Sequence, residues 1–245
     1  KPIIIIGESA LELKSGKYIF ETIKYFLLNN NLINENWNSL NILTQNASTV
    51  GLLDLKILQT ETQDQFFSNL RNKKFKLLYL LGSDNLDFKK DNEFVVYQGS
   101  HGDRGAEVAD IILPSATYTE QNGLYENLEG RVQECKKASY PIGESLDDWK
   151  IYNKIIKNLG LQEKTSNFDQ LRKEVLNIVP NFSSLNNLPK IEIIKKDEIK
   201  AEFISEEIVI RELDYYYTNS ISRSSKTMSE CRQIRQKNKK DGTNN

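Results

Sequence analysis

Residues 109–133, "ADIILPSATYTEQNGLYENLEGRVQ", place a short apolar run, a proline and a polar, turn-rich segment in immediate succession. "ADIILP" reads as a strand stopped by Pro114, which cannot donate within a ladder. "LYENLEGRVQEC" (124–135) then fits a β-hairpin with "LEG" at its turn and Gly130 supplying a positive φ. Glu120, Gly123, Asn127, Glu129, Gly130 and Arg131 crowd into this stretch. Two readings stand. Asn and Arg donors could be aimed at the oxygens of a cofactor. Alternatively, the same side chains satisfy one another and the backbone of the turn.

Working outward, "PIIIIGES" (2–9) has no position alternating with water and reads as a strand buried on both faces, ending at Gly7. In "KYIFETIKYFLLNN" (17–30), Ile19, Ile23, Phe26 and Leu27 fall on one helical stripe, ended by asparagines. "LNILTQ" (40–45), "KLLYLLGSDN" (76–85) and "FVVYQGS" (94–100) are further strands. "TQDQFFSNLRNK" (62–73) reads as a helix capped by Thr62, with Phe66 and Leu70 on one face. "ESLDDWKIYNKIIKNLG" (144–160) is another, with Ser145 and Asp148 resembling a capping box and Gly160 as its stop.

Buried strands alternating with helices predict an α/β class: a doubly wound, mostly parallel sheet with a β-hairpin insertion and an extended C-terminal arm. Ligands of such sheets sit at the carboxyl ends of strands, here "GES", "GSDN" and "GSHGDRG". The last of these holds His101 and reads as a loop whose Asp103 caps the following turn; a proton-transfer role for the imidazole is the alternative. The expected domains are an α/β domain over 1–164, an arm with a short helix (170–180) and strands over 165–222, and a basic tail over 223–245. Residues 223–241 carry seven Lys/Arg against Glu230 and Asp241, suiting a solvated end or a segment docked on an acidic partner. The triple "YYY" (215–217) either anchors on a neighbour or straps the arm to its own domain.

The 245 residues carry a net charge of −1, so no general affinity for nucleic acid or acidic membranes is expected. Cys135 and Cys231 are the two thiols, without a CxxC pair, which excludes an iron–sulfur site built on four cysteines of this chain. With His101 the sole histidine, a zinc site of several His ligands lacks material. No apolar run reaches the ~18–20 residues of a membrane span. No signal peptide is evident, and the missing initiator Met suggests a fragment, a processed chain or an incomplete one. The 25 asparagines and 25 isoleucines suggest an AT-rich source, and "NAS" and "NFS" are chance glycosylation matches in so Asn-rich a chain.

"YQGSHGDRGAEVADIILPSATYTEQNGLYENLEGRVQ" (97–133) closely resembles the carboxyl-terminal region of the large iron–sulfur subunit of respiratory complex I. The resemblance continues through "IIIIGESAL", "WNSLNILTQNASTVGLLDL", "LLYLLGSDN", "DDWKI" and "DYYYTNSISRSSKTMSEC". That family is a distant relative of molybdopterin oxidoreductases, where a similar strand is followed by Glu, then Gly-Thr-x-x-Asn-x-Glu-Gly-Arg. Glu120, Gly123, Asn127, Glu129, Gly130 and Arg131 match, and Leu124 replaces the Thr. The resemblance implies a vestigial pterin fold with no catalytic residue, cofactor or metal in this chain. It places the iron–sulfur clusters in a cysteine-rich amino-terminal region or a partner chain. It also implies a structural role beside other complex I subunits, in the matrix-facing peripheral arm at the mitochondrial inner membrane, supporting NADH-to-ubiquinone electron transfer. Nucleic acid and a direct membrane span are not expected. The rival readings are the pterin-binding end of an active molybdenum oxidoreductase and a free-standing module that binds a small anion.

Overall fold

The computed structural model describes residues 1–57, 63–84, 86, 88–163, 165–191, 198–208 and 214–240. In chain order these form β1 (Ile4–Gly7), α1 (Glu8–Leu11), α2 (Gly16–Asn29), β2 (Ile33–Asn34), β3 (Trp37–Asn38), β4 (Leu40–Leu43) and α3 (Thr49–Asp54). Next come α4 (Gln63–Arg71), β5 (Leu77–Leu81), β6 (Phe94–Gly99), α5 (Arg104–Glu107), β7 (Ile111–Pro114), β8 (Gly123–Glu126) and β9 (Val132–Cys135). Then follow α6 (Asp148–Asn158), α7 (Phe168–Ile178), a 3-10 turn at Pro180–Ser183, α8 (Ser220–Ser224) and α9 (Lys226–Lys240). The class is α/β, with parallel ladders and hairpins. Two compact units are drawn from interleaved segments: Lys1–Gln59, Asn122–Lys136 and Thr165–Val209 in one, Thr60–Gln121, Lys137–Lys164 and Ile210–Asn245 in the other.

In the first unit β1 pairs with β4 in parallel, Ile4 opposite Leu40 through Gly7 opposite Leu43. Such a pair requires a crossover, and the connection between them contains α2. Leu27, Leu28 and Ile33 form the core there, with Ile4, Ile23 and Leu40 against them. Phe26, expected on the same stripe, is 53% exposed; the buried face runs through Ile23 and Leu27 instead. The arm lies along α2. Ser15 Oγ donates to the Ile204 carbonyl at 2.7 Å and accepts from its N–H at 2.8 Å. Glu21 accepts from the N–H groups of Lys200 and Ala201, which hold its carboxyl below the usual range. The antiparallel hairpin of β8 and β9 buries Val132 against Val179 and Phe182, under α7. That helix starts at an Asn167 cap and ends before Pro180, two residues ahead of the expected 170–180.

In the second unit β5, β6 and β7 form a parallel ladder in that order. Leu78, Leu80, Val95 and Tyr97 bury one face of it, packed by Leu70, Phe75 and Val108. The opposite face is only partly covered. On it Tyr152 of α6 stacks over Tyr79 at 6.1 Å, and the fully buried Gln98 donates to Asp148 at 2.6 Å. Leu77, Leu81, Phe94 and Ile111 are left 58%, 52%, 45% and 44% exposed. In the first unit Ile3, Ile5 and Leu43 are bare to a similar degree. The expectation of strands buried on both faces is therefore corrected: each ladder is packed on one face and wholly or partly open on the other.

The Ser145–Asp148 capping box does not form. Leu146 runs as a β-bridge beside Ser115, so α6 starts only after Asp147, and Ser145 Oγ donates to the Ile142 carbonyl. The expected Thr62 cap, the alternating segments at 192–197 and 209–213 and the last five residues lie outside the described residues.

The tail is more ordered than its charge suggests. α8 carries a capping box of Asn219 and Ser222, and the basic run after it is helical as α9. Arg223, 17% exposed at its side chain, bridges Asp84 at 2.7 Å and Asp103 at 2.5 Å. Arg232 pairs with Asp214 and lies over Tyr217, while Arg235 lies over Tyr215, so these two tyrosines engage their own tail. Removing a well-shielded cation strands its carboxylate partners. Arg223→Met should therefore lower unfolding free energy by about 3 kcal/mol, read from urea denaturation. Asp103 has a depressed carboxyl, so its contribution is present above the ordinary carboxylate range and lost on acidification. That acid-side loss should shrink in the same variant.

Candidate functional site at the hairpin turn

The turn between β8 and β9 is organised by Asn127. Its Oδ1 accepts from the N–H groups of Glu129 and Arg131, both at 3.0 Å. Its own N–H donates to the Arg131 carbonyl at 3.0 Å, and its carbonyl accepts from Gly130 at 2.9 Å. Gly130 has φ +77°, and a Cβ there would stand 2.9 Å from Pro189 Cγ. Both the left-handed backbone and the close approach call for glycine. Arg131 Nη2 lies 3.9 Å from Glu129, and its buried Nε has no hydrogen-bond partner. Gly123 opens β8 opposite Cys135. Glu120 lies in the other unit, where its carboxylate accepts from the Thr117 N–H at 3.2 Å and its N–H returns to the Thr117 carbonyl. Five of the six motif residues thus share one hairpin, and the sixth closes a separate turn.

This donor set does not fit a pterin. A ligand of that size needs several convergent polar groups. Asn127 already serves the backbone, and Arg131 Nη2 is turned toward Glu129. Leu124, at the position of the usual Thr, packs against the Val132 cluster and offers no hydroxyl. Of the motif's buried polar atoms, the Nε of Arg131 is left without a partner. Among the described residues no group of three or more His, Cys, Asp or Glu is placed to hold a metal ion. Cys135 and Cys231 belong to different units.

The strand-end loops are engaged as well. Asp84 follows β5 and Asp103 follows β6, and both point at Arg223 of the chain's own tail. Burial pushes the Asp103 carboxyl up, but Arg223 and the Arg104 N–H outweigh it and hold it below the ordinary range. Asp103 caps α5 through the Arg104 N–H at 2.9 Å, as the sequence suggests. Two carboxylates matched to one internal guanidinium make a poor cradle for an anion. His101 is placed with its Nδ1 2.9 Å from Ser100 Oγ, and its carbonyl accepts from the Tyr97 hydroxyl at 2.6 Å. Burial drives the Tyr97 phenol upward, so it stays a neutral donor.

One group escaped the sequence reading. Glu126, the last residue of β8, is 7% exposed, and burial together with Asp54 raises its carboxyl to about 7. Its Oε2 is buried without a hydrogen-bond partner, while Asn181 Nδ2 donates to Asp54 at 3.1 Å. The inward alternation of β8 is the one hint that the sequence holds.

The family model described as molybdopterin oxidoreductase matches residues 1–158, and one for the C-terminal part of an NADH-ubiquinone oxidoreductase subunit matches 190–231. The NADH-ubiquinone oxidoreductase 75 kDa subunit of Reclinomonas americana is 37% identical over 96% of this chain and 34% of its own length. The mitochondrial 78 kDa subunit of Neurospora crassa is 35% identical over 94% and 32%. The mitochondrial NADH dehydrogenase (ubiquinone) iron-sulfur protein 1 of Solanum tuberosum is 31% identical over 94% and 31%. The chain spans about a third of the length of these relatives. With a matching domain model over more than half its residues and a complex I terminus matched behind it, the chain belongs to the molybdopterin oxidoreductase family, on the side of it represented by the large subunit of complex I.

Proposed function

We propose that this chain is a structural, non-catalytic part of the peripheral arm of mitochondrial complex I. Its role is to pack against the iron–sulfur-bearing region of the same subunit and against neighbouring subunits, excluding water and fixing where the clusters sit. The clusters themselves belong to the region outside these residues or to a partner chain. Electron transfer from NADH to ubiquinone is then a property of the assembly, which this chain supports from the matrix side.

The open strand faces carry this reading. Leu77, Leu81, Phe94 and Ile111 in one unit, and Ile3, Ile5 and Leu43 in the other, are exposed apolar positions on or beside ladder faces that are wholly or partly open. Exposed apolar surface of this kind marks an interface. A chain that covers a third of its relatives' length has a natural occupant for it, namely the remainder of such a subunit. The name of the Solanum relative includes "iron-sulfur" and "mitochondrial", in keeping with the proposed neighbour and compartment. Among the described residues no helix is long and apolar enough to cross a membrane.

Three outcomes are expected. Ile5→Lys and Leu81→Lys should leave the circular dichroism of the chain unchanged while cutting its recovery in the assembled complex severalfold, measured on native gels; unchanged incorporation would count against the packing role. Arg131→Ala should reduce assembly or solubility without altering turnover per assembled complex, and normal assembly with greatly reduced turnover would reverse the reading. Metal analysis of the purified assembly should give iron without stoichiometric molybdenum or tungsten; either of those metals bound at this fold would favour the pterin enzyme.

A further inference from the structure

The pairs that order the tail are mostly its own. Arg232 pairs with Asp214, Asn219 and Ser222 cap each other, and Arg232 and Arg235 lie over Tyr217 and Tyr215. Among the described residues, no side chain from 214 to 237 is buried, and the apolar clusters take no member from this stretch. Arg223 is the residue turned toward the ladder, with its side chain 17% exposed. The place it enters is built without the tail. The Asp103 carboxylate accepts from the Arg104 N–H, and its carbonyl accepts from Ala106 at 2.8 Å and Glu107 at 3.1 Å. The Asp84 carbonyl accepts from the Gly105 N–H at 3.1 Å, which knits the loop after β5 to the start of α5. Position 105 admits no side chain, since a Cβ would stand 2.6 Å from the Ser83 carbonyl oxygen.

All three nitrogens of the guanidinium are used. Nε donates to Asp103 Oδ2 at 2.5 Å, and Nη1 donates to the Tyr217 carbonyl at 3.3 Å. Nη2 lies 2.7 Å from Asp84 Oδ1 as an ion pair, out of line for a hydrogen bond. A rigid planar fork reaches three acceptors at once, where an ammonium on a flexible stem is a point charge. We propose that the loops after β5 and β6 are a preformed guanidinium socket, and that residues 214–240 are a detachable strap locked into it by Arg223. The crevice at these strand ends thus takes a guanidinium as its ligand, and the chain supplies that ligand itself. Tyr217 belongs to the strap, so the cation bridges strap and body. Release is a local opening, because Leu78, Leu80, Val95 and Tyr97 form their cluster without the tail.

Hydrogen exchange of the full chain, read by mass spectrometry, separates the strap from the ladder. Arg223→Ala should cut the protection of peptides covering 214–237 by about tenfold or more, while those covering β5 and β6 keep theirs. Arg223→Lys should open the strap as Ala does, because an ammonium does not span both carboxylates and the Tyr217 carbonyl. Ethylguanidinium chloride at millimolar concentration should restore the protection lost in Arg223→Ala, and ethylammonium chloride at the same concentration should not. Deprotection of β5 and β6 together with the tail would make the tail part of the core and overturn the proposal. An unchanged tail in Arg223→Ala, a strap held by Lys, or equal effects of the two salts would overturn it as well.

Discussion

A single guanidinium governs how the second unit uses its ends. Arg223 stands between Asp84 and Asp103, which leave the carboxyl ends of two adjacent parallel strands. In an open α/β sheet those ends are where a crevice receives a ligand. Here the tail of the same polypeptide reaches them first. Once Arg223 is seated, α8 is fixed by its own capping box and α9 continues from it, with Arg232 and Arg235 laid over Tyr217 and Tyr215. Losing one partner of a charge pair shielded from water is costly, unlike at an exposed surface, and this pair joins the tail to two strand-end loops.

The hairpin shows the same double use in another form. Residues whose types match a cofactor motif serve the backbone: Asn127 folds the turn on itself, Gly130 admits a left-handed conformation beside Pro189, and Glu129 faces Arg131. The turn alone accounts for these residue types at these positions. Fold membership and cofactor chemistry thus separate, as the fit of side chains, and not the fold, decides what is held.

Local signals in the sequence read well where the hydrogen bonds are local. The strand runs, the Gly130 turn and the Asp103 cap each depend on neighbours a few residues away, and each is found as the pattern suggests. Ser145 misled because a long-range bridge between Leu146 and Ser115 competes with the helix for the same stretch. Phe26 misled because apolar identity does not say which edge of a stripe meets the core. The runs of Ile and Leu in β1 and β5 spell strands meant for two-sided packing, yet a run cannot say whether the second layer belongs to the same polypeptide. Glu126 is buried beside Gly51 of α3, far back in the chain, and no periodicity carries information over that separation.

The order in which the chain visits its two units has a consequence for its biogenesis. Each unit is assembled from three stretches that alternate with those of the other, so the backbone leaves and re-enters each one repeatedly. Neither can be completed before the last third of the polypeptide has been made. Closing such long loops is entropically slow, and the early strands must wait with apolar surface bare. A nascent chain of this design holds both bodies incomplete until late in synthesis: truncation from the carboxyl end anywhere before Val209 removes part of both, whereas truncation after it spares the first.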